Sequence, residues 1–222
     1  MTIRLHILDS GCHFGRRLPL IRRTLEAAIH HVEQRSDLSN VDMAVHPIDF
    51  GHDQFPISAF TMGPHNIHIG IERSQLSSEE LEPDLYRFTI HELHHALRWR
   101  HVAKVWTVAE AVVLEGLAVL ADHDAAGPQD LTDRPLSAPE DALATLAVIR
   151  GDRLEGQRDW LYSSETAQPG GIGRVYSVGH LVMKSALAAL SLDPWQAALH
   201  PADALVDAGM HALAARTRRR SA

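Results

Sequence analysis

Residues 91–101 read HELHHALRWRH, and they begin with an H-E-x-x-H motif formed by His91, Glu92 and His95. In an α-helix, residues four apart lie on one face about one turn from each other, so both imidazoles can point at a single metal ion. Glu92 is displaced by about 100° around the helix from His91, so its carboxylate reaches the open side of the metal and can take a proton from water. The motif therefore predicts a zinc site with His91 and His95 as ligands and Glu92 as the general base.

A third histidine, His101, follows ten residues after His91 and is one candidate for the next ligand. This is the spacing of the H-E-x-x-H-x-x-G-x-x-H motif, whose glycine ends the helix and turns the chain. Arg98 stands at the glycine position here, and a positive φ at an arginine costs on the order of 1 kcal/mol. If the helix continues instead, His101 lies about 600° beyond His95, roughly two-thirds of a turn from the ligand face.

Two glutamates on the next predicted helix are the alternatives to this histidine. Glu115 lies 20 residues after His95 among apolar residues, where a lone carboxylate needs a partner such as a metal ion. A turn after Trp99 would bring it opposite the histidines. Glu110 lies nearer the start of that helix, where the helix dipole already explains an acid. The residues alone leave the third ligand open between His101, Glu115 and Glu110.

Strand signals precede helix signals along the chain. Alternating apolar residues predict strands at 3–8, 41–48 and 66–72. Apolar residues at helical spacing predict helices at 18–34, 77–99, 105–123, 138–149, 175–190 and 201–216, and residues 49–65 are predicted to be a long loop. This order predicts an α+β fold, with a small N-terminal mixed sheet and a helix followed by a mostly helical C-terminal half. We expect an N-terminal α/β part with an edge strand over residues 1–76, a helical zinc-binding part over 77–216, and a frayed basic tail over 217–222.

The composition limits the class of protein and its partners. The chain has 222 residues, 45% of them hydrophobic, which suits one globular domain, or one domain with a small subdomain, and is long enough for a well-formed core. Its formal net charge of -7 disfavours sequence-independent binding to nucleic acid. The single cysteine, Cys12, excludes an intrachain disulfide, and no apolar run approaches the roughly 18 residues of a membrane span. We therefore expect a cytoplasmic protein that has neither nucleic acid nor a membrane as a partner.

Three segments carry a family resemblance: TIHELHHALRWR, AEAVVLEGLA and YSVGHLVMK. Together they resemble a bacterial family of predicted zinc-dependent proteases of gluzincin type, whose members carry an H-E-x-H-H helix followed by an E-G-L-A helix. The resemblance covers roughly residues 57–190. It implies a zincin-like fold, a Zn²⁺ cofactor, a peptide or protein substrate, and His91, His95 and Glu115 as the metal ligands.

The same resemblance implies roles for three further features. Strand 66–72 would be an edge strand that pairs with an extended substrate backbone. Related enzymes stabilise the negative charge on the carbonyl oxygen with a tyrosine or a histidine, and Tyr176 and His180, four residues apart on one predicted helix, are the candidates. Val119 stands where gluzincins often have an acid behind a ligand histidine, so the hydrogen-bond acceptor for that histidine must come from elsewhere, for example from Asp122 or a backbone carbonyl.

The motif is compatible with three functions. The first is a zinc metallopeptidase. The others are a metal-dependent hydrolase acting on a small amide, and a catalytically silent metal- or partner-binding module on the same fold. Glu92 favours an enzyme, because a structural metal site needs no general base.

Overall fold

The computed structural model describes residues 3–49, 57–102, 107–127 and 174–220. The chain divides into two compact units, Met1–Arg100 and His101–Ala222. The first contains a four-stranded mixed sheet, and the described residues of the second are mainly helical, which confirms the predicted α+β class. The predicted helix at 138–149 lies outside the described residues.

The strands of the first unit are β1 (Ile3–Ile7), β2 (Val41–Ile48), β3 (Ile57–Gly63) and β4 (Asn66–Glu72). They lie in the order β1-β2-β4-β3, with β1, β2 and β4 parallel and β3 antiparallel to β4. Residues 66–72 are therefore an inner strand, and the expectation that they form an edge strand is wrong. The edge beside them is β3, which lies in a segment predicted to be a loop.

The side chains of β3 explain why the sequence pattern did not reveal it. Phe60 and Met62 are 51% and 61% exposed. Thr61, between them, is paired with the fully buried Ile67, so it stands on the buried face of the sheet. A strand with apolar side chains outward and a polar one inward reverses the alternation expected of a half-buried strand.

The core of the first unit lies between one face of the sheet and two helices, α1 (Leu18–Glu33) and α2 (Leu81–His101). Fully buried aliphatic residues come from alternate positions of the inner strands and from one side of each helix: Ile21, Leu25, Val32, Val41, Met43, Val45, Ile67, Ile69, Ile71, Ile90 and Leu93. Each such side chain contributes about 1.5–3 kcal/mol on burial. An edge-to-face contact between His31 and Tyr86, with ring centroids 6.2 Å apart, joins the two helices.

Helix α2 runs without interruption for 21 residues and carries the H-E-x-x-H motif. Pro83 lies in its first turn, where a missing N–H is tolerated. Near the C-terminal end, Arg100 donates from Nε to the Pro64 carbonyl at 3.1 Å, and from Nη2 to the Ser39 carbonyl. The first bond reaches the turn between β3 and β4, and the second reaches the segment that leads into β2, so the end of α2 is anchored to two connections of the sheet.

Within its described residues, the second unit has the helices α3 (Val108–Ala126), α4 (Arg174–Leu190), α5 (Pro194–Ala197) and α6 (Ala202–Arg220). Helices α3 and α4 meet at two glycines, because a Cβ on Gly116 would lie 2.4 Å from the C and O atoms of Gly179. Helix α6 approaches α4 in the same way, since a Cβ on Gly209 would lie 2.5 Å from the Val182 carbonyl oxygen. Only glycine, which has no Cβ, allows backbones to approach this closely.

Helix α6 extends further than the sequence predicts. It ends at Arg220, so residues 217–220 are helical where a frayed basic tail is expected. Arginine is a good helix former, and the helix dipole favours cations in the last turn, which accounts for the longer helix. Neither α6 nor any other helix in the described ranges is long and apolar enough to cross a membrane.

Candidate metal centre

The structure brings together His91, Glu92 and His95 on α2. One potential ligand atom from each lies within 4.8 Å of those of the other two. The imidazole rings of His91 and His95 are 4.5 Å apart between centroids and inclined at 80°. Glu92 and His95 are 5% and 6% exposed, whereas His91 is partly exposed. The cluster is therefore buried on one side and accessible from the side of His91.

The donor set of this cluster fits a zinc ion. Zinc in proteins prefers imidazole nitrogen, thiolate sulfur and carboxylate oxygen, and a catalytic site takes three protein ligands and keeps one position open. His91 and His95 supply two imidazoles from a single helix, so a third ligand from outside the motif would complete the set.

The Glu92 carboxylate has a defined partner within the first unit. The Thr61 hydroxyl lies 2.7 Å from Glu92 Oε2 and 2.9 Å from the Glu92 main-chain carbonyl oxygen, and it can donate to either. Sequence reasoning missed Thr61 because it placed residues 49–65 in a loop. The pattern of residues 57–63 gave no such signal, because Thr61 faces inward while Phe60 and Met62 on either side of it are exposed.

The chain does not turn at Arg98. Helix α2 continues to His101, and Arg98 is not among the described residues with positive φ. The H-E-x-x-H-x-x-G-x-x-H geometry is therefore absent, and the exposed His101 lies at the helix end, off the face of His91 and His95. His94, between Glu92 and His95 on the same helix, is fully buried.

The other candidate ligands lie on α3 in the second unit. Glu115 is 7% exposed and immediately precedes Gly116, the residue at which α3 meets α4. Glu110 is 8% exposed and lies in the first turn, where its N–H donates to the hydroxyl of the N-cap residue Thr107 at 3.1 Å. Glu110 thus occupies a helix N-terminus, whereas Glu115 lies in the middle of a buried helix.

The candidate oxyanion donors both lie on α4. The Tyr176 side chain is partly buried and packs against the aliphatic core of the second unit. His180 is 8% exposed, and its ring contacts that of His123 edge to face, with centroids 5.1 Å apart. The two histidines line a cavity of about 390 Å³ together with Asp124 and Lys184.

Asp122 immediately precedes His123 on α3. It is 8% exposed, and its Oδ1 lies 3.8 Å from His123 Nε2. The structure therefore brings Asp122, His123 and His180 into one region of the second unit.

Comparison with known proteins identifies the family. No curated protein and no solved structure matches the chain. A family model matches residues 21–207, from α1 into α6, and therefore spans both the H-E-x-x-H helix and the α3–α4 crossing. The chain thus belongs to the family described as Predicted Zn-dependent protease (DUF2268).

Proposed function

We propose that this protein is a zinc-dependent peptidase that holds its metal with His91 and His95 and uses Glu92 as the general base. The observation that carries the proposal is the clustering of these three residues on α2, with potential ligand atoms within 4.8 Å of one another. Membership in a family described as predicted Zn-dependent proteases supports the same chemistry.

Each residue of the cluster has a distinct task. A zinc ion, when bound, supplies Lewis acidity that polarises a carbonyl group. His91 and His95 hold the ion as neutral imidazoles. Glu92 takes a proton from water and passes it to the leaving amine. The partly exposed His91 marks the side from which water and substrate approach.

We propose Glu115 as the third ligand. Glu115 is 7% exposed on a helix whose buried residues are mostly apolar, and a buried carboxylate is held by hydrogen bonds, an ion pair or a metal. The first-turn position of Glu110 offers the helix dipole as its explanation, which makes it the weaker candidate. Tyr176 and His180 are the proposed donors to the developing oxyanion.

For the substrate we propose an extended peptide that adds to β3. An edge strand presents backbone N–H and C=O groups with which an added strand can pair. Thr61 of β3 contacts Glu92, so a peptide on this edge would lie beside the general base. A cytoplasmic location stays a prediction.

The test separates metal binding from catalysis. Purified protein should bind one equivalent of zinc and cleave members of a fluorogenic peptide library, and Glu92→Gln should keep the zinc but lose the hydrolysis. Glu82→Gln, the same change at an exposed position of α2, is the matched control and should behave as wild type. Failure to bind zinc, or hydrolysis that survives Glu92→Gln, contradicts the proposal. Cleavage of small amides alone would assign the protein to the other class of hydrolase.

A further inference from the structure

We infer that Thr61 is a positioning residue that orients the Glu92 carboxylate for proton transfer, an inference that rests on the proposed function. Its hydroxyl lies 2.7 Å from Glu92 Oε2, within the usual range for a hydrogen bond from a hydroxyl to a carboxylate. The residue lies on the edge strand β3, and Glu92 lies on the helix with the two histidines, so this bond joins two separate elements of the first unit.

The hydroxyl has two acceptors but only one proton. The Glu92 carbonyl oxygen, at 2.9 Å, belongs to the backbone of α2. The carboxylate is the stronger acceptor because it carries charge, so the proton is shared mainly with Oε2. This bond leaves Oε1 to accept a proton from water and restricts the rotation of the carboxylate about its last side-chain bond.

The strand fixes the direction of the hydroxyl. Thr61 pairs with Ile67 of β4, the fully buried residue opposite it, and the register shifts between Thr61 and Gly63. The last regular cross-strand pair before this irregularity therefore holds Thr61. A β-branched side chain also has few accessible χ1 rotamers, so the backbone of β3 sets the position of the hydroxyl.

The need for a hydroxyl separates this role from ordinary strand packing. Valine has the shape of threonine and an equal preference for strands, so packing alone would tolerate it at this position. Thr61 instead directs its hydroxyl at the carboxylate of Glu92, a residue that is only 5% exposed. A position that contributes only to packing would not require this hydroxyl.

The test compares Thr61→Val, which removes the hydroxyl, with Thr61→Ser, which keeps the hydroxyl and removes only the methyl group. For a peptide that wild type cleaves, Thr61→Val should lower kcat roughly 10- to 100-fold with KM within about threefold, and Thr61→Ser should recover most of the rate. Zinc affinity should stay within about threefold in both variants, because Thr61 contacts Glu92, which is not a proposed ligand, and itself supplies no ligand of the kind zinc prefers. Thr24→Val is the matched control, because it removes a hydroxyl that bonds to Leu20 of its own helix, and it should leave kcat unchanged.

A second measurement needs no activity. In metal-free protein, urea unfolding should give a loss of unfolding free energy for the double variant Thr61→Val/Glu92→Ala that is smaller than the sum of the losses for the two single variants. The reason is that both single changes break the same bond. Additive losses of unfolding free energy, or a kcat of Thr61→Val equal to that of wild type, overturn the positioning role. If Glu92→Gln loses hydrolysis while Thr61→Val keeps it, the proposed function stands and this inference alone fails. If wild type shows no hydrolysis that depends on Glu92, the proposed function fails and the positioning role with it.

Discussion

Replacing Gly116 by alanine tests the close contact between α3 and α4. A Cβ at this position would lie 2.4 Å from the C and O atoms of Gly179 and 2.8 Å from its Cα, whereas ordinary contact begins at 3.4 Å. All three atoms are backbone, so no side chain can rotate away. The two helices would have to separate by roughly 1 Å, with loss of contacts along their shared aliphatic core.

The expected loss of stability is the difference between two opposing effects. Overpacking of a well-packed core costs about 1–3 kcal/mol, and a backbone contact belongs at the upper end of that range. Alanine is favoured over glycine in a helix by about 1 kcal/mol. The net destabilisation of about 2 kcal/mol corresponds to a decrease in melting temperature of roughly 4–8 °C for a protein of this size.

Thermal unfolding followed by circular dichroism measures this effect. Gly179→Ala should behave similarly, because its Cβ would lie 2.5 Å from the Val112 carbonyl oxygen. Gly63→Ala is the control, because a Cβ there meets no atom within 4 Å, and its melting temperature should stay within about 2 °C of wild type or rise. If Gly116→Ala melts at or above the wild-type temperature, the close crossing of α3 and α4 is refuted.

Three further predictions concern the proposed ligand, the oxyanion donor and a buried acid. Glu115→Ala should lose most of its bound zinc, whereas His101→Ala should retain it; the reverse pattern in metal analysis would exchange their roles. Tyr176→Phe should lower kcat by roughly 100-fold at unchanged zinc content, and an equal loss in His180→Gln alone would move the donor role to the histidine. Burial raises the pKa of Asp84 above its usual value of 3.8, so the folded state favours the protonated form. The stability this residue contributes is fully present below pH 3.8 and falls as the pH rises through the folded-state pKa. Asp84→Asn should therefore raise the melting temperature at about pH 7 and give no gain below the usual pKa, and a gain of equal size at both pH values would contradict this.

Local patterns predicted most of the elements around the site. The spacing of apolar residues located α1, β2 and α2, because one face of each is buried and the other is not. The i, i+4 spacing of His91 and His95 also fixed their common face, since it depends on helix geometry alone. Arg98 correctly argued against a turn within the motif, because a bulky residue disfavours a positive φ.

Features that depend on non-local pairing could not be predicted. In β3 the apolar Phe60 faces outward and the polar Thr61 faces inward. This order of apolar and polar residues is explained only by the pairing of Thr61 with β4 and by its contact with Glu92 on α2. The inner position of β4 likewise follows from its pairing with both β2 and β3. The contact between Gly116 and Gly179 joins residues far apart in sequence, and no periodicity in either helix announces it.

Carrying both histidines on one uninterrupted helix has a consequence for metal exchange. In a zinc finger the ion creates the fold, and a chelator unfolds the domain. Here Leu93 is buried in an aliphatic core and Arg100 anchors the helix to the sheet, so the two imidazoles are preorganised before any ion arrives. Removal of the ion by a chelator should therefore abolish activity while the first unit stays folded, and added zinc should restore activity without a refolding step.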